Sequence, residues 1–285
     1  MKNYPFLLSI ISDEISQDPE VAIQLAAEYH LDGIELRSAW DTPVELLPEE
    51  KLRSLVELAA ENGLKISAIA SSFLKEDWCK DDRAKFDRLV KACGVCGCNT
   101  IRGFSFWKSE DYTDEQFAEY LKPYDELLGE AGLQLALEND PSVNLNTGYA
   151  LARFFRDHEF KNIGVLWDPG NDIYACLGKV KSYPDEYVEV KPFMRHFHIK
   201  DGLPVDNTVK AIGLGDGVMD FHGQFRALKE DGYTGWITLE PHYRLEGTID
   251  HELLKRPGGA AFSEGGYMPS KISMEWLQKI LSELF

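Results

Sequence analysis

Four side chains of this chain are of the types that bind divalent cations or move protons: Glu138, Asp168, His198 and Glu240. Each stands at or near the end of a short apolar, β-branched run, over residues 133–138, 163–168, 195–199 and 235–240. A single carboxylate in such a place is more often a helix cap than a functional group. Four ligand types in a row are a different matter. Three carboxylates gathered at one mouth repel each other, and a divalent cation removes that repulsion. Three oxygens and one imidazole nitrogen suit one divalent metal ion, manganese, magnesium, cobalt or zinc, with positions left open for substrate oxygens. Beside such a cation a carboxylate becomes a competent base toward a carbon next to a carbonyl.

The elements that must position these residues alternate eight times between short β-branched runs and amphipathic helical stretches. The first half supplies strands at 7–11, 33–37, 65–70 and 100–104. Asp18 and Pro19 fit the N-cap and first position of a helix. Residues 48–62 form the next helix, with Gly63 as its C-cap. Asp82 opens a third, which ends in the stretch 94–98. Thr113 with Gln116 has capping-box spacing for a fourth helix ending near Gly132. Further helices are predicted at 147–158, 220–230 and 272–284. Near-continuous apolar strands separated by helices argue a parallel sheet covered on both faces, and eight such units argue closure into a (β/α)8 TIM barrel. The 285 residues fit one barrel domain over residues 1–285, with an extended loop at about 241–271. That loop, with Gly258-Gly259 and Gly265-Gly266, reads as a lid or as the seal of a subunit contact. No G-x-G-x-x-G follows the first strand, and Gly213-Leu214-Gly215-Asp216-Gly217 reads as a turn.

The residues also carry a resemblance. Ala136-Leu137-Glu138-Asn139, Trp167-Asp168-Pro169-Gly170-Asn171, His196-Phe197-His198-Ile199-Lys200-Asp201 and Leu239-Glu240-Pro241-His242 resemble the motifs of the xylose isomerase-like barrel superfamily. Residues 215–221 resemble the G-x-G-x-x-D-F segment that opens its seventh helix. The superfamily includes sugar and sugar-phosphate isomerases, ketose 3-epimerases, hydroxypyruvate isomerase, inosose dehydratase and endonuclease IV. The resemblance runs in order along essentially the whole chain. It implies that Glu138 and Glu240 bind metal and flank the substrate. Glu240 would abstract a proton next to a carbonyl and Glu138 would return one, or the two would trade roles, through a metal-stabilised enediolate. The substrate it implies is a small sugar, sugar phosphate or cyclitol.

The pattern also has departures. The epimerases carry a His three residues after the sixth-strand Asp, where this chain has Asn171, and an Arg six residues after the seventh-strand His, where it has Pro204. Lys200, His242 or Arg244 would then serve the substrate beside Asn171. Trp107 belongs to a group of loop aromatics with Trp40, Phe73, Trp78, Phe104 and Phe106, whose rings would stack on sugar C–H faces or pack the loops. Glu35 and Arg37 read either as a mutual salt bridge or as a contact to a substrate hydroxyl. His196, two residues before His198, faces the same side and reads as a core or supporting residue. The absence of a basic cradle in the sequence favours an unphosphorylated substrate.

Composition narrows the classes. The formal charge of −18, from 48 acidic and 30 basic residues, opposes nucleic acid as a partner. With only seven histidines the chain is also poor in the ligands of an endonuclease IV-like three-metal site. The apolar stretch at 5–11 is too short to span a bilayer and lacks the plan of a secretory signal, so the expectation is a cytoplasmic protein with no membrane partner. The five cysteines are expected reduced, with Cys93, Cys96 and Cys98 as buried thiols rather than a zinc site. An inosose-type dehydratase is the nearest alternative function. A non-catalytic barrel is disfavoured by the intact quartet, and a homo-oligomer stays open.

Overall fold

A computed structural model describes residues 4–285. Eight parallel strands close into a barrel: β1 (Leu7–Ile11), β2 (Gly33–Leu36), β3 (Lys65–Phe73), β4 (Thr100–Gly103), β5 (Gln134–Glu138), β6 (Ile163–Trp167), β7 (Met194–Ile199) and β8 (Trp236–Leu239). Closure is the pairing of β1 with β8, Leu7 opposite Trp236 and Ile10 opposite Leu239. The strands are buried along nearly their whole length, which is why they read as apolar runs. Gly33 is required for this packing, because a Cβ there would collide with the Lys65 carbonyl and the Trp236 ring.

The covering helices are α1 (Pro19–Glu28), α2 (Glu49–Glu61), α3 (Arg83–Cys96), α4 (Asp114–Ala131), α5 (Gly148–Asp157), α6 (Pro169–Cys176), α7 (Phe221–Glu230) and α8 (Tyr267–Leu284). Asp18 caps α1 through the Glu20 N–H at 3.0 Å, with Pro19 at the first position, and Thr113 caps α4 through the Gln116 N–H. Gly97 and Gly132 end α3 and α4 in left-handed backbone, at φ 66° and 68°. Cys93, Cys96 and Cys98 are free thiols buried at the end of α3 and just beyond. Among the described residues no helix is long and apolar enough to cross a membrane.

Three features differ from the sequence reading. The final helix begins at Tyr267, five residues earlier than expected, because Pro269 lies in its first turn, where a proline costs no hydrogen bond. The preceding segment, residues 241–266, carries two short helices, His251–Lys255 and Ala260–Ser263. After β7 comes an unforeseen antiparallel hairpin, Asp201–Val205 with Thr208–Ile212, turning at Asp206 (φ 53°). Its base is fixed by the Asp201 carboxylate, which accepts backbone N–H groups from Gly202, Gly215, Gly217 and Met219. The glycine-rich stretch read as a turn is therefore a wrap around Asp201, and a Cβ on Gly217 would strike that carboxylate.

Candidate active site and metal centre

The last four strands bring Glu138, Asp168, His198 and Glu240 to one point. One ligand atom from each lies within 4.8 Å of every other, and all four residues are buried. Glu138 ends β5 and His198 lies within β7, while Asp168 and Glu240 each follow a strand by one residue. Asp168 does two things at once. Its Oδ1 caps α6, accepting from Gly170 N–H at 2.8 Å and Asn171 N–H at 3.3 Å. Its Oδ2 is left facing the cluster with no hydrogen bond of good geometry, although Lys200 Nζ stands 2.7 Å away. The helix-cap and functional readings thus apply to different oxygens of the same side chain.

His198 is oriented from behind. Its Nε2 lies 3.1 Å from Glu35 Oε1, and its Nδ1, buried and without a hydrogen-bond partner, is 4.0 Å from Glu240 Oε2. An imidazole held by a carboxylate at one nitrogen presents a lone pair at the other, the arrangement found around metal-ligating histidines. The same Glu35 takes His196 Nε2 at 2.7 Å and the Thr238 hydroxyl at 2.8 Å. Burial works against charge on Glu35, but the His198 and His196 imidazoles hold its carboxyl well below the usual range. Glu35 therefore lies inside the barrel beneath the site and is not in the wall of the cavity at the barrel mouth. Nor does it pair with Arg37. The Arg37 guanidinium points instead to Asp13 at 2.9 Å, Glu14 at 2.7 Å and Glu240 at 3.3 Å.

These donors fit a divalent ion. Three carboxylates and one free imidazole nitrogen converge, and two of the facing atoms, Asp168 Oδ2 and His198 Nδ1, are buried without hydrogen bonds. The chain carries cations of its own around them. Lys200 Nζ stands 2.6 Å from Glu240 Oε2 as well as beside Asp168. Arg102, from β4, reaches Glu138 Oε2 at 3.3 Å and Glu240 Oε1 at 3.4 Å. Burial opposes the charge on Glu240, yet His242 and Lys200 hold its carboxyl well below the ordinary value; burial pushes Glu138 the other way, up. Burial likewise opposes the charge on Lys200, but Asp168 and Glu240 keep it firmly protonated.

Glu138 and Glu240 line a cavity of about 320 Å3 at the barrel mouth. Lys200 and His242 line it too, and His242 Nε2 stands 3.0 Å from Glu14 Oε1 and 3.3 Å from Glu240 Oε1. Asn171 donates to Glu138 Oε1 at 2.9 Å and lines an adjoining cavity. Arg244 is not at the cavity: it anchors the loop after β8 by donating to the backbone carbonyls of Tyr243, Phe262 and Glu264. Trp107 is not in the cavity wall either; its ring lies under Arg256 at 5.5 Å and Lys75 at 5.6 Å. Of the loop aromatics only Phe104 faces the cavity, and Phe73, Trp78 and Phe106 pack against other rings in the core.

Several residues at the site went unnamed in the sequence reading. Arg102 and Lys75 enter from the β3–β4 side, and Lys75 is buried against Asp140 at 2.8 Å. Asp13 and Glu14 hold Arg37 from the turn after β1. The available signal was a charged residue inside a buried strand: Arg102, like Glu35, interrupts a run that a parallel barrel would otherwise keep apolar. The same finding amends the view that the chain has no basic cradle. Arg37, Lys75, Arg102 and Lys200 all line the cavity, but each is paired with carboxylates.

With this geometry in hand, comparison with known proteins decides the family. The family model described as "Xylose isomerase-like TIM barrel" matches residues 23–263. This chain belongs to that family. Within it, the chain is similar to the inosose dehydratase of Klebsiella pneumoniae subsp. pneumoniae, 26% identical over 149 residues, 45% of this chain and 48% of that protein. It is also similar to the L-ribulose-5-phosphate 3-epimerase UlaE of Escherichia coli O1:K1, 28% identical over 144 residues, 47% of this chain and 45% of that one. The match thus spans about half the length of these curated relatives. Among solved structures, a D-psicose 3-epimerase determined in the presence of D-fructose superposes with a TM-score of 0.71 at 18% identity, covering 97% of this chain and 99% of that one. At that identity the likeness speaks for the fold. The named relatives of the family are sugar-modifying enzymes, epimerases and dehydratases.

Proposed function

We propose that this protein is a divalent-metal-dependent isomerase or epimerase of a small sugar or cyclitol. The observation that carries the reading is the convergence of Glu138, Asp168, His198 and Glu240 within 4.8 Å, with two of them, Glu138 and Glu240, on the wall of one cavity. Those four would hold the metal ion, manganese, magnesium, cobalt or zinc. Bound there, such an ion would supply Lewis acidity, making the carbon next to a substrate carbonyl a stronger acid. The chain's own groups do the rest. Glu240 takes the proton and Glu138 delivers one, or the reverse for the opposite direction. Asn171 fixes Glu138 by its 2.9 Å hydrogen bond, and Lys200 and His242 reach toward substrate oxygens from the Glu240 side. Glu35 holds His198 in one tautomer.

An inosose-type dehydratase is the second reading. It is favoured by the similarity to inosose dehydratases and by the Lys200 ammonium beside Glu240, a hydrogen-bond donor for a departing hydroxyl oxygen. The first test is elemental analysis of wild type and Asp168→Ala purified identically. Near one equivalent of metal in wild type and its loss in the variant is the expected result; a wild type that stays empty after incubation with manganese or zinc sinks the proposal. Incubation with ketoses and inososes in D2O then separates the two readings. Deuterium gained with water retained marks an isomerase or epimerase, and growth of an enone absorbance marks a dehydratase.

A further inference from the structure

The cavity beside Glu138 and Glu240 is one lobe of two. A second cavity, of about 400 Å3, opens toward β6 and β7. Both are walled by Asp140, Lys200, His242 and Leu254, so they adjoin across these four side chains, beside Glu240. Leu254, on the short helix of the loop after β8, stands between them. The first lobe alone is at the lower end of the roughly 300–1,000 Å3 that pockets for drug-sized ligands occupy, ample for one small sugar. The second therefore has room for a further ring.

Its chemistry differs from the first. The first lobe is crowded with ion pairs. The second takes its floor from Tyr174 of α6 and Leu177 just past its end, and its far wall from Thr208 and Val209 of the hairpin after β7, with Asn171 at its inner end. Among the residues that line only this lobe, Lys255 alone is charged, and it pairs with Glu252 at 2.9 Å. Hydroxyl and amide groups beside apolar side chains suit an uncharged polyol with C–H faces, and lack the unpaired cations that a phosphate would require.

We infer that the second lobe is a subsite for an uncharged sugar ring attached to the reacting sugar, so that the substrate class is a keto-sugar carrying a glycosyl substituent, a glycoside or disaccharide. This rests on the proposed function for the first lobe, whose reacting groups would then face the keto-sugar while the substituent lies along the hairpin. The hairpin is an insertion between β7 and α7 that the barrel itself does not need, and on this inference it sets specificity.

The test uses three glucosyl-fructoses that keep a free ketose end, joined through O3, O5 or O6, against D-fructose. Affinities are read by saturation-transfer NMR or calorimetry on the manganese-loaded protein, and deuterium uptake is followed in the same D2O samples. At least one disaccharide is expected to bind tenfold or more tightly than fructose. Thr208→Trp, an exposed position on a strand where an aromatic is well tolerated, is expected to bring that ratio toward one; a melting curve checks that the variant folds. Disaccharides that bind no better than fructose overturn the subsite, as does a preference that Thr208→Trp leaves intact. Deuterium uptake answers separately: exchange without disaccharide preference removes the subsite and keeps the isomerase reading. Preference without exchange does the opposite.

Discussion

The two halves of the barrel mouth do different electrostatic work. Strands β5 to β8 contribute Glu138, Asp168, His198 and Glu240, an arrangement that could hold a metal ion. Strands β2 to β4, with the residues just after β2 and β3, contribute Arg37, Lys75 and Arg102, which lean across into the same space. Arg102 spans the halves, 3.3 Å from Glu138 and 3.4 Å from Glu240. The comparison teaches that fixed cations of one half pair with the carboxylates of the other, Arg102 with Glu138 and Glu240 and Arg37 with Glu240. An acid pair without such cations stands at the start of α5, where burial and neighbouring Glu186 push Asp172 well up and burial pushes Glu186 up too.

The sharpest way to break this division is at Glu240. Glu240→Gln removes both a proposed ligand and a proposed base, and proton exchange of substrate in D2O should fall by at least ~10²-fold with the circular dichroism spectrum unchanged. A variant that keeps near-wild-type exchange would place the chemistry elsewhere.

On the opposite half, Arg102→Leu leaves Glu138 and Glu240 short of a counter-charge. Breaking a buried ion pair from one side costs ~3–5 kcal/mol, and a loss toward that range is expected in denaturant titration of metal-stripped protein. Saturating manganese should shrink the loss, because a divalent ion takes over the same carboxylates. An equal loss with and without manganese would mean that Arg102 and the quartet are independent.

Glu35→Gln probes the support beneath the quartet. Supporting carboxylates of this type alter metal affinity by ~10–100-fold, and a weakening in that range should appear in equilibrium dialysis. Unchanged affinity would reduce Glu35 to a packing role.

The smallest effect concerns the acid pair. Carboxyls whose folded-state pKa is raised add stability that is fully present below their unfolded value and lost as pH rises through the folded one. The pair's own contribution should therefore fall as pH climbs above about 4, so the stability of Glu186→Gln relative to wild type should rise with pH over that window. A parallel pH profile for both proteins would remove the pair from the account.

Sequence legibility followed the same division. The ligand half was readable because each residue ends an apolar run, and the order of eight runs implied the barrel that gathers them. The cationic half was not. Arg102 sits mid-strand, Asp13 and Glu14 follow the first run as ordinary polar residues, and which acid Arg37 meets depends on barrel closure rather than spacing. Glu35 was placed at the strand end for a related reason, with Arg37 or a substrate hydroxyl as its partner, but β2 sets it deep enough to reach His196 and His198. The hairpin after β7 escaped because its alternation over five residues a side is short and lies beside the glycines that wrap Asp201.

Arg244 carries one more consequence. Its three partners are neutral carbonyls, and a guanidinium stays charged at any pH at which the barrel folds. The foot of the β8 loop is thereby pinned by a clasp indifferent to acidity and to metal, four residues from a carboxylate sensitive to both. Whatever motion the segment around Leu254 makes is that of a short arm on a fixed pivot, so opening and closing need not disturb the register of Glu240 beneath it.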